Sequence, residues 1–386
     1  MIREELFNSA TIEGMVAAPG VKWHRDPPDV IPLWLADHDF PIAPEIKRAL
    51  INAVHDEDLF YNDDLKAREA MAKKVVRRNG LEVTADDLMI TQGVLPGMWL
   101  AVRYACKPGD EVIVNDPMYF PFFIATEVTN TKPIHWPLEM EEGYRFDIER
   151  LKELVTDRTK LIFVCNPHNP CGRVMTEEEL RGLADVAVDH GITVMVDELW
   201  EDIVFDGRRH ITLASLSPEI ADLTMTSWGF SKTYGVAGLQ MGYLCATNKG
   251  MMDRLRELAR GVLRGTSTLA RAAAPVMLDD TLGWWRKGIM DHLHKIRGIC
   301  ERRFEETPGV TCSKLEGAYL MFPKFDYGMT SEELDKYMFE EAHLRFSVGT
   351  QFGPRGEGHL RMCIATSETI INEAFDRMQR ALEKLK

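Results

Sequence analysis

The chain has 386 residues, a formal net charge of −14 and an apolar fraction of 45%, the composition of a globular protein with enough apolar material for a core. No apolar run reaches the roughly 18 residues that cross a bilayer, and the acidic balance argues against nonspecific nucleic-acid binding. No signal peptide is apparent at the N-terminus. We therefore expect a cytoplasmic protein with small-molecule partners, and neither membrane nor nucleic acid among them.

The cysteines and short motifs exclude further classes. Seven cysteines are scattered along the chain without a CxxC pair, which favours free thiols in a reducing compartment over a disulfide framework or a zinc site. The sequence also lacks HExxH, GxGxxG, GxxxxGK[ST] and GxSxG motifs and an EF-hand loop. No metal site is predicted, and several large enzyme classes lose their main support.

Regular elements are predicted from about residue 46 onward. Residues 1–45 contain six prolines, too many for regular structure, and predict an arm that crosses between domains or onto a partner. Further on, buried apolar strands alternate with helices such as Thr176–His190, which predicts an α/β fold with a mostly parallel sheet. The strands are predicted at Glu111–Val114, Leu161–Cys165, Thr193–Val196, Leu223–Thr226 and Gly242–Ala246.

The pattern changes near Gly283. A long helix from Trp284 to Glu306 is predicted to stop at Pro308-Gly309, and a strand–helix–strand–helix segment finishes the chain. We predict three segments. Residues 1–45 form the arm and part of a small domain, 46–283 the large domain, and 284–386 the C-terminal α+β small domain.

Candidate functional residues follow the predicted strands, because ligands of open parallel sheets bind beyond the carboxyl ends of the strands. The turn Gly93-Val94-Leu95 opens a helix, which makes either an anion site or a plain turn. Tyr119 belongs to an aromatic cluster that could stack on a planar ligand or simply pack a loop. Asn169 is held extended by the proline that follows it.

Two charged residues complete this group. Asp197 follows a buried strand, where a carboxylate is costly without a cationic partner. Lys232 lies among small and aromatic residues, and burial would lower its pKa and make it a nucleophile or base. A lysine for a Schiff base, an acid for a pyridine nitrogen and donors for a phosphate are what pyridoxal phosphate requires.

At these residues the sequence resembles fold type I pyridoxal-phosphate (PLP) enzymes of the class I/II aminotransferase family, over nearly the whole chain. The resemblance implies a large domain with a mostly parallel seven-stranded sheet and a smaller α+β domain. It implies that Lys232, in Ser-Lys-Thr-Tyr-Gly, forms the Schiff base and that Asp197 pairs with the pyridinium nitrogen. Asn169, in Asn-Pro-His-Asn-Pro, would bond O3′ of the ring, and Tyr119 would stack on its face.

The resemblance also assigns the remaining ligands. Gly93, Val94, Leu95 and Ser231 would hold the phosphate, and Gln240 stands where many aminotransferases have a phosphate-binding arginine. Tyr61 would reach the phosphate of a neighbouring subunit, which implies a homodimer. Arg361 would bind the substrate α-carboxylate beside Ala36 and Trp34. Trp200 stands where aminotransferases usually have tyrosine and related lyases histidine; it either donates to O3′ or fills the wall.

The activity implied is amino-group transfer from an L-amino acid to a 2-oxo acid. The stretch Ile31–Phe40 and Gln240 resemble instead the cystathionine β-lyase type of C–S lyase, whose products are pyruvate, ammonia and a thiol. Racemisation and a non-catalytic regulatory protein are further alternatives. An aromatic wall of Trp23, Trp34, Tyr61 and Trp200 is the basis for a hypothesis of nonpolar or sulfur-containing substrates.

Overall fold

The computed structural model describes residues 5–263 and 265–385. The strands are β1 Ile31–Pro32, β2 Leu88–Thr91, β3 Glu111–Asp116, β4 Lys132–Pro137, β5 Thr159–Cys165, β6 Thr193–Asp197, β7 Thr224–Gly229, β8 Gly242–Cys245, β9 Val310–Thr311, β10 Leu320–Met321, β11 Lys324–Phe325, β12 Leu344–Arg345, β13 Ser347–Val348 and β14 Leu360–Cys363. The helices are α1 Ile12–Ala17, α2 Val21–His24, α3 Pro44–His55, α4 Leu65–Lys74, α5 Leu95–Ala105, α6 Pro121–Val128, α7 Ile148–Leu154, α8 Glu177–His190, α9 Pro218–Leu223, α10 Ser231–Tyr234, α11 Lys249–Ala259, α12 Thr268–Leu278, α13 Gly283–Glu305, α14 Ser331–Ala342 and α15 Glu368–Glu383.

A seven-stranded sheet in the order β2-β8-β7-β6-β5-β3-β4 forms the centre of the molecule. Strand β8 is antiparallel to both neighbours, and the other pairs are parallel. The mostly parallel sheet predicted from the sequence is confirmed. Its strands are apolar because helices cover both faces; Val112, Ile113 and Val114 are fully buried, and each such side chain contributes about 1.5–3 kcal/mol.

Helix α8 shows how the sequence defines its own limits. The Thr176 hydroxyl accepts the N–H of Glu179, and the Glu179 carboxylate accepts the N–H of Thr176, so both donors at the helix start are satisfied. Gly191 ends the helix at φ +61°, a left-handed conformation that glycine adopts without strain. The helix predicted for this stretch is therefore confirmed.

The C-terminal part contains the predicted long helix, α13, which ends before Pro308. It is followed by a three-stranded antiparallel sheet in the order β10-β14-β13 and by α14 and α15. This sheet carries Arg361, on β14, to the cavity described below. The division into segments 1–45, 46–283 and 284–386 stays a prediction.

The prediction that residues 1–45 lack regular structure is wrong. They contain α1, α2 and β1, and β1 pairs in parallel with β12 of the C-terminal part. The prolines are compatible with these elements because most of them lie between them, as Pro19 does between α1 and α2. Phe7 anchors the segment, with its ring 5.0 Å from that of Trp285 on α13.

One predicted strand boundary is also corrected. Leu223 is the last residue of helix α9 and does not start a strand. Ser217 caps the N-terminus of that helix, which ends at Leu223. Strand β7 then runs from Thr224 to Gly229. All seven cysteines lie within the described residues, and none of them is in a disulfide there. Among the described helices, none has the length and apolarity of a membrane span.

Candidate active site

The carboxyl ends of β5, β6 and β7 open into a cavity of about 420 Å³. Thirteen of the fourteen predicted site residues line it: Trp34, Ala36, Gly93, Val94, Leu95, Tyr119, Asn169, Asp197, Trp200, Ser231, Lys232, Gln240 and Arg361. Tyr61 does not. It lies fully exposed on the segment between α3 and α4, away from the cavity of its own chain.

Lys232 lies in the short helix α10 that follows β7. Its Nζ donates to the main-chain oxygen of Ala36 at 2.6 Å and lies 5.6 Å from the ring centre of Trp200. Burial lowers the pKa of Lys232, and the negative charges of Asp37 and Asp197 oppose that shift. An amine with a lowered pKa releases its proton more readily, which suits Lys232 to act as a nucleophile or base.

Asp197 is the last residue of β6 and is 3% exposed. Its carboxylate accepts the N–H of Leu199 at 3.0 Å and forms no ion pair with any residue that the structure describes. Burial raises the pKa of Asp197 from 3.8 to about 7, because the ionised form has lost water without gaining a cation. A protonated pyridine nitrogen would supply that cation, so this carboxylate fits the predicted cofactor.

The phosphate end of the cavity is formed by a turn and a helix start. Gly93 has φ +82°, and Val94 precedes the first residue of the 11-residue helix α5, Leu95. No side chain caps this helix, so its first N–H groups are available to an anion. Ser231 and Gln240 line the cavity as well.

Arg361 is buried and held at three points. Nη1 donates to Oδ1 of Asn169 at 3.0 Å, and Nη2 donates to the main-chain oxygen of Trp34 at 2.8 Å and to Oγ of Ser347 at 3.0 Å. Nε is buried without a partner among the described residues. Burial lowers the pKa of Arg361 to about 10, so it stays cationic at neutral pH and suits a carboxylate ligand. Since Asn169 uses its oxygen on Arg361, its amide N–H groups remain for a ligand.

Two aromatic residues form walls. Tyr119 lines the cavity beside Phe120, with ring centres 5.0 Å apart. Trp200 is 2% exposed and packs edge-on against Tyr319 at 4.7 Å. Its indole N–H donates to no atom of the described chain, so it is available to a ligand, as one of the two sequence alternatives requires.

The predicted aromatic wall is corrected in part. Trp34 and Trp200 line the cavity, whereas Trp23 does not. The indole N–H of Trp23 donates to Asp39 at 2.9 Å in a buried cluster. Tyr61 is absent from the wall of its own chain, as described above.

Sequence reasoning missed Arg25, Asp37 and Ser347. Arg25 and Ser347 line the cavity, and Asp37 contributes the largest charge effect that raises the pKa of Lys232. A signal for Asp37 was present, since it follows Ala36 directly. Arg25 and Ser347 come from segments far apart in the sequence that meet only when β1 pairs with β12, so no local pattern marks them.

A charged cluster that is buried at Glu198 and half-buried at Glu201 and His210 lies next to Asp197 along the chain. Ligand atoms of Glu198, Glu201 and His210 come within 4.8 Å of one another. Lys74 forms an ion pair with Glu201, and His210 Nε2 lies 3.0 Å from the Glu198 carboxylate. The cluster thus contains its own cation, which explains how its acids are buried.

Similarity to known proteins identifies the family to which this architecture and cavity belong. The family model "Aminotransferase class I and II" matches residues 30–378. The chain belongs to this family. It is 30% identical to the cystathionine beta-lyase PatB of Bacillus subtilis over 96% of this chain and 98% of that protein. It is 29% identical to aromatic-amino-acid aminotransferase 2 of Thermococcus litoralis over 92% of each.

A solved structure agrees with this family. Cystalysin of Treponema denticola, which contains a pyridoxal 5′-phosphate cofactor, matches with a TM-score of 0.90 and 28% identity over 95% of both chains. The predicted resemblance and the fold class are confirmed, and the predicted cofactor is confirmed for the family. The relatives include both aminotransferases and C–S lyases, as the mixed sequence features indicated.

Proposed function

We propose that this chain is a PLP-dependent aminotransferase that moves the α-amino group of an L-amino acid to a 2-oxo acid. The observation that carries the proposal is the convergence of three charged groups on one cavity: the half-buried Lys232 amine, the buried Asp197 carboxylate and the buried Arg361 guanidinium. One suits covalent attachment, one suits a ring nitrogen and one suits an α-carboxylate. The match of the class I and II model over residues 30–378 supports the same reading.

The roles of the residues follow from their chemistry. Asp197 would hold the pyridine nitrogen, the turn Gly93–Leu95 with Ser231 would hold the phosphate, and Arg361 would orient the α-carboxylate. The cofactor, when bound, supplies an electrophilic aldehyde carbon and a ring that accepts an electron pair. Lys232 Nζ, whose pKa is lowered by burial, would take the proton from the substrate Cα and later release it to another atom.

A C–S β-lyase is the second candidate. It is favoured by the 30% identity to the cystathionine beta-lyase PatB of Bacillus subtilis, which extends over 96% of this chain. The same lysine, acid and arginine would serve both reactions, because amino transfer and β-elimination differ only in the steps after the Cα proton is removed. The fate of a β-thiol substituent therefore distinguishes them.

A single-turnover experiment separates the two activities. L-Cystathionine and a panel of L-amino acids are added separately to the cofactor-loaded protein without any oxo acid. Conversion of the cofactor to its pyridoxamine form, with one oxo acid per site, would support amino transfer. Pyruvate and ammonia produced over many turnovers, with the cofactor unchanged, would support the lyase and contradict the first proposal.

We also propose that the chain works as a homodimer in which Tyr61 reaches the phosphate of the partner subunit. Exposed apolar side chains support this. Trp99 on α5 and Ile124 on α6 are 40% and 43% exposed, and these two helices pack together. Leu95 and Phe120, also exposed, line the cavity itself. A second copy that covered these helices would thus complete the mouth of the site.

A further inference from the structure

We propose that Glu198 is a positioning residue: its buried side chain anchors the turn after β6 and so holds the Asp197 carboxylate in place for the cofactor. The inference rests on the proposed function, in which Asp197 takes the pyridine nitrogen. It gives a role to the charged cluster behind Asp197, which the proposed reaction does not use directly.

The Asp197 carboxylate depends on its neighbours in the chain for support. The hydrogen bond that it accepts within the described residues comes from the N–H of Leu199, at 3.0 Å. Burial raises the pKa of Asp197, and this hydrogen bond is the largest influence that opposes the shift. The carboxylate is therefore held in its ionised form only if the turn that carries the Leu199 N–H keeps its position.

The side chain of Glu198, which is fully buried, fixes this turn. One of its oxygens, Oε2, accepts the hydroxyl of Thr212 at 2.8 Å and the indole N–H of Trp228 at 3.0 Å. Nε2 of His210 lies 3.0 Å from the same oxygen. Hydrogen bonds to an ionised acceptor are about twice as strong as neutral ones, so these contacts hold the carboxylate firmly.

The main chain transmits the anchor to the Leu199 N–H. The N–H of Glu198 donates to the main-chain oxygen of Ser227 at 2.9 Å, and the carbonyl of Glu198 accepts the N–H of Glu201 at 3.1 Å. This carbonyl and the Leu199 N–H belong to one planar peptide group. A shift of the Glu198 side chain would therefore turn the donor away from Asp197.

The same contacts connect the two strands that position the acid and the amine of the cavity. Trp228, which binds Glu198, lies on β7, and Lys232 follows that strand on α10. On its other side, the Trp228 ring has Nζ of Lys74 4.9 Å from its centre, and Lys74 pairs with Glu201. Glu198 thus joins the end of β6 to the end of β7.

Equilibrium binding of two probes tests the inference without turnover. The probes are PLP and deaza-PLP, an analogue in which carbon replaces the ring nitrogen while the aldehyde and phosphate remain. Both are titrated into apo-protein and followed by tryptophan fluorescence. The variants are Glu198→Gln and Thr212→Val, each made alone and together with Asp197→Asn. Thr212→Val removes one donor but keeps the charge of Glu198, so it separates anchoring from charge and serves if Glu198→Gln does not fold.

The chain offers a matched control pair at the other end of the sheet. Glu111 is also buried, and it accepts the hydroxyl of Thr156 at 2.6 Å. It is the first residue of β3, so it lies at the amino end of the parallel strands rather than at the cavity. Glu111→Gln and Thr156→Val therefore make the same chemical changes far from Asp197.

We expect Glu198→Gln and Thr212→Val each to weaken PLP binding about fivefold, the scale of one hydrogen bond, and to leave deaza-PLP binding unchanged. Neither change should have a further effect once Asp197 is asparagine, and the controls should bind both probes as wild type does. Equal weakening of both probes, a loss that persists beside Asp197→Asn, or a Thr212→Val variant that binds PLP normally would overturn the inference.

The outcome is separable from that of the proposed function. If Asp197→Asn bound both probes as wild type does, the proposed role of Asp197 would fail, and the inference with it. If Asp197→Asn lost the preference for PLP while Glu198→Gln and Thr212→Val kept it, only the role of Glu198 would fail. Neither comparison depends on whether the loaded protein transfers amino groups or eliminates thiols.

Discussion

At the scale of single residues, Lys232 has the central role that we propose in the cavity, since it would both attach the cofactor and act as the base. Replacing it with alanine removes the amine but leaves Asp197, Arg361 and the turn at Gly93 in place. We expect Lys232→Ala to lose single-turnover amino transfer by about 10²–10⁴-fold, the contribution of a positioned base, and to release PLP on dialysis. A variant that still retained covalently attached PLP, judged by mass spectrometry of the borohydride-reduced protein, would show that another lysine does this work.

Asp197 gives a prediction about pH and stability. Its pKa is about 7 in the folded apo-protein against 3.8 when unfolded, so between these values the folded state binds the extra proton. Stability therefore falls as pH rises through this window and stays lower above pH 7. Asp197→Asn lacks this penalty. At pH 8 we expect its free energy of unfolding, measured with urea, to exceed that of the wild-type apo-protein by up to roughly 4 kcal/mol.

The control for this prediction is the same comparison at pH 4, where the two apo-proteins should differ much less, because Asp197 is protonated in the folded state and close to half protonated in the unfolded state, whose pKa is 3.8. The variant should also bind PLP more weakly than wild type, since the amide cannot pair with a pyridinium. A stability difference that did not grow between pH 4 and pH 8 would contradict the assignment.

These residues could be predicted to different extents. Asp197 ends a strand, and Lys232 and Asn169 lie within a few residues of strand ends, so their place in the sequence determines their place at the sheet edge. Arg25 and Asp37 come from the N-terminal segment, whose path over the cavity depends on the pairing of β1 with β12. Tertiary contacts of this kind leave no periodic trace in a sequence.

At the scale of elements, the central strands were predictable because burial on both faces requires uninterrupted apolar runs. Helix α8 was predictable because its capping box is local. The N-terminal segment was not, because a proline count ignores where each proline stands relative to a helix. Leu223 was misassigned for a similar reason: an apolar residue before a strand also fits the last turn of a helix.

The approach of α5 to the sheet gives an element-scale prediction. A Cβ at Gly97 would lie 2.3 Å from Oγ of Ser227 and 3.0 Å from Cε of Met195, so the helix lies this close only because residue 97 has no side chain. We expect Gly97→Ala to shift α5, to cost about 1–3 kcal/mol, and to weaken PLP binding because the turn at Gly93 moves with the helix.

Gly298→Ala is the matched control. On α13 a Cβ at Gly298 would have Nη1 of Arg302 as its nearest neighbour, at 3.9 Å, so this change should be neutral or stabilising through helix propensity. Urea unfolding and fluorescence titration with PLP measure both effects. If Gly97→Ala bound PLP as tightly as Gly298→Ala, the link between this packing and the phosphate turn would be refuted.

At the scale of the whole molecule, the surface argues for a second copy. Tyr61 is fully exposed and does not line the cavity of its own chain, while two exposed apolar residues, Leu95 on α5 and Phe120 directly before α6, do line it. An aspartate in this surface would place a charge where a partner must exclude water. We expect Trp99→Asp to convert a dimer into monomers in sedimentation equilibrium and to weaken PLP binding as well.

Two further variants separate assembly from cofactor contact. Val188→Asp introduces the same charge at an apolar residue of α8 that is 37% exposed, and it should remain dimeric. Tyr61→Phe should also remain dimeric but bind PLP less tightly, since one hydroxyl donor is lost, on the order of 1 kcal/mol. If Trp99→Asp stayed dimeric, the interface would lie elsewhere. If monomeric Trp99→Asp bound PLP as tightly as the dimer, Tyr61 would have no part in the partner's phosphate site.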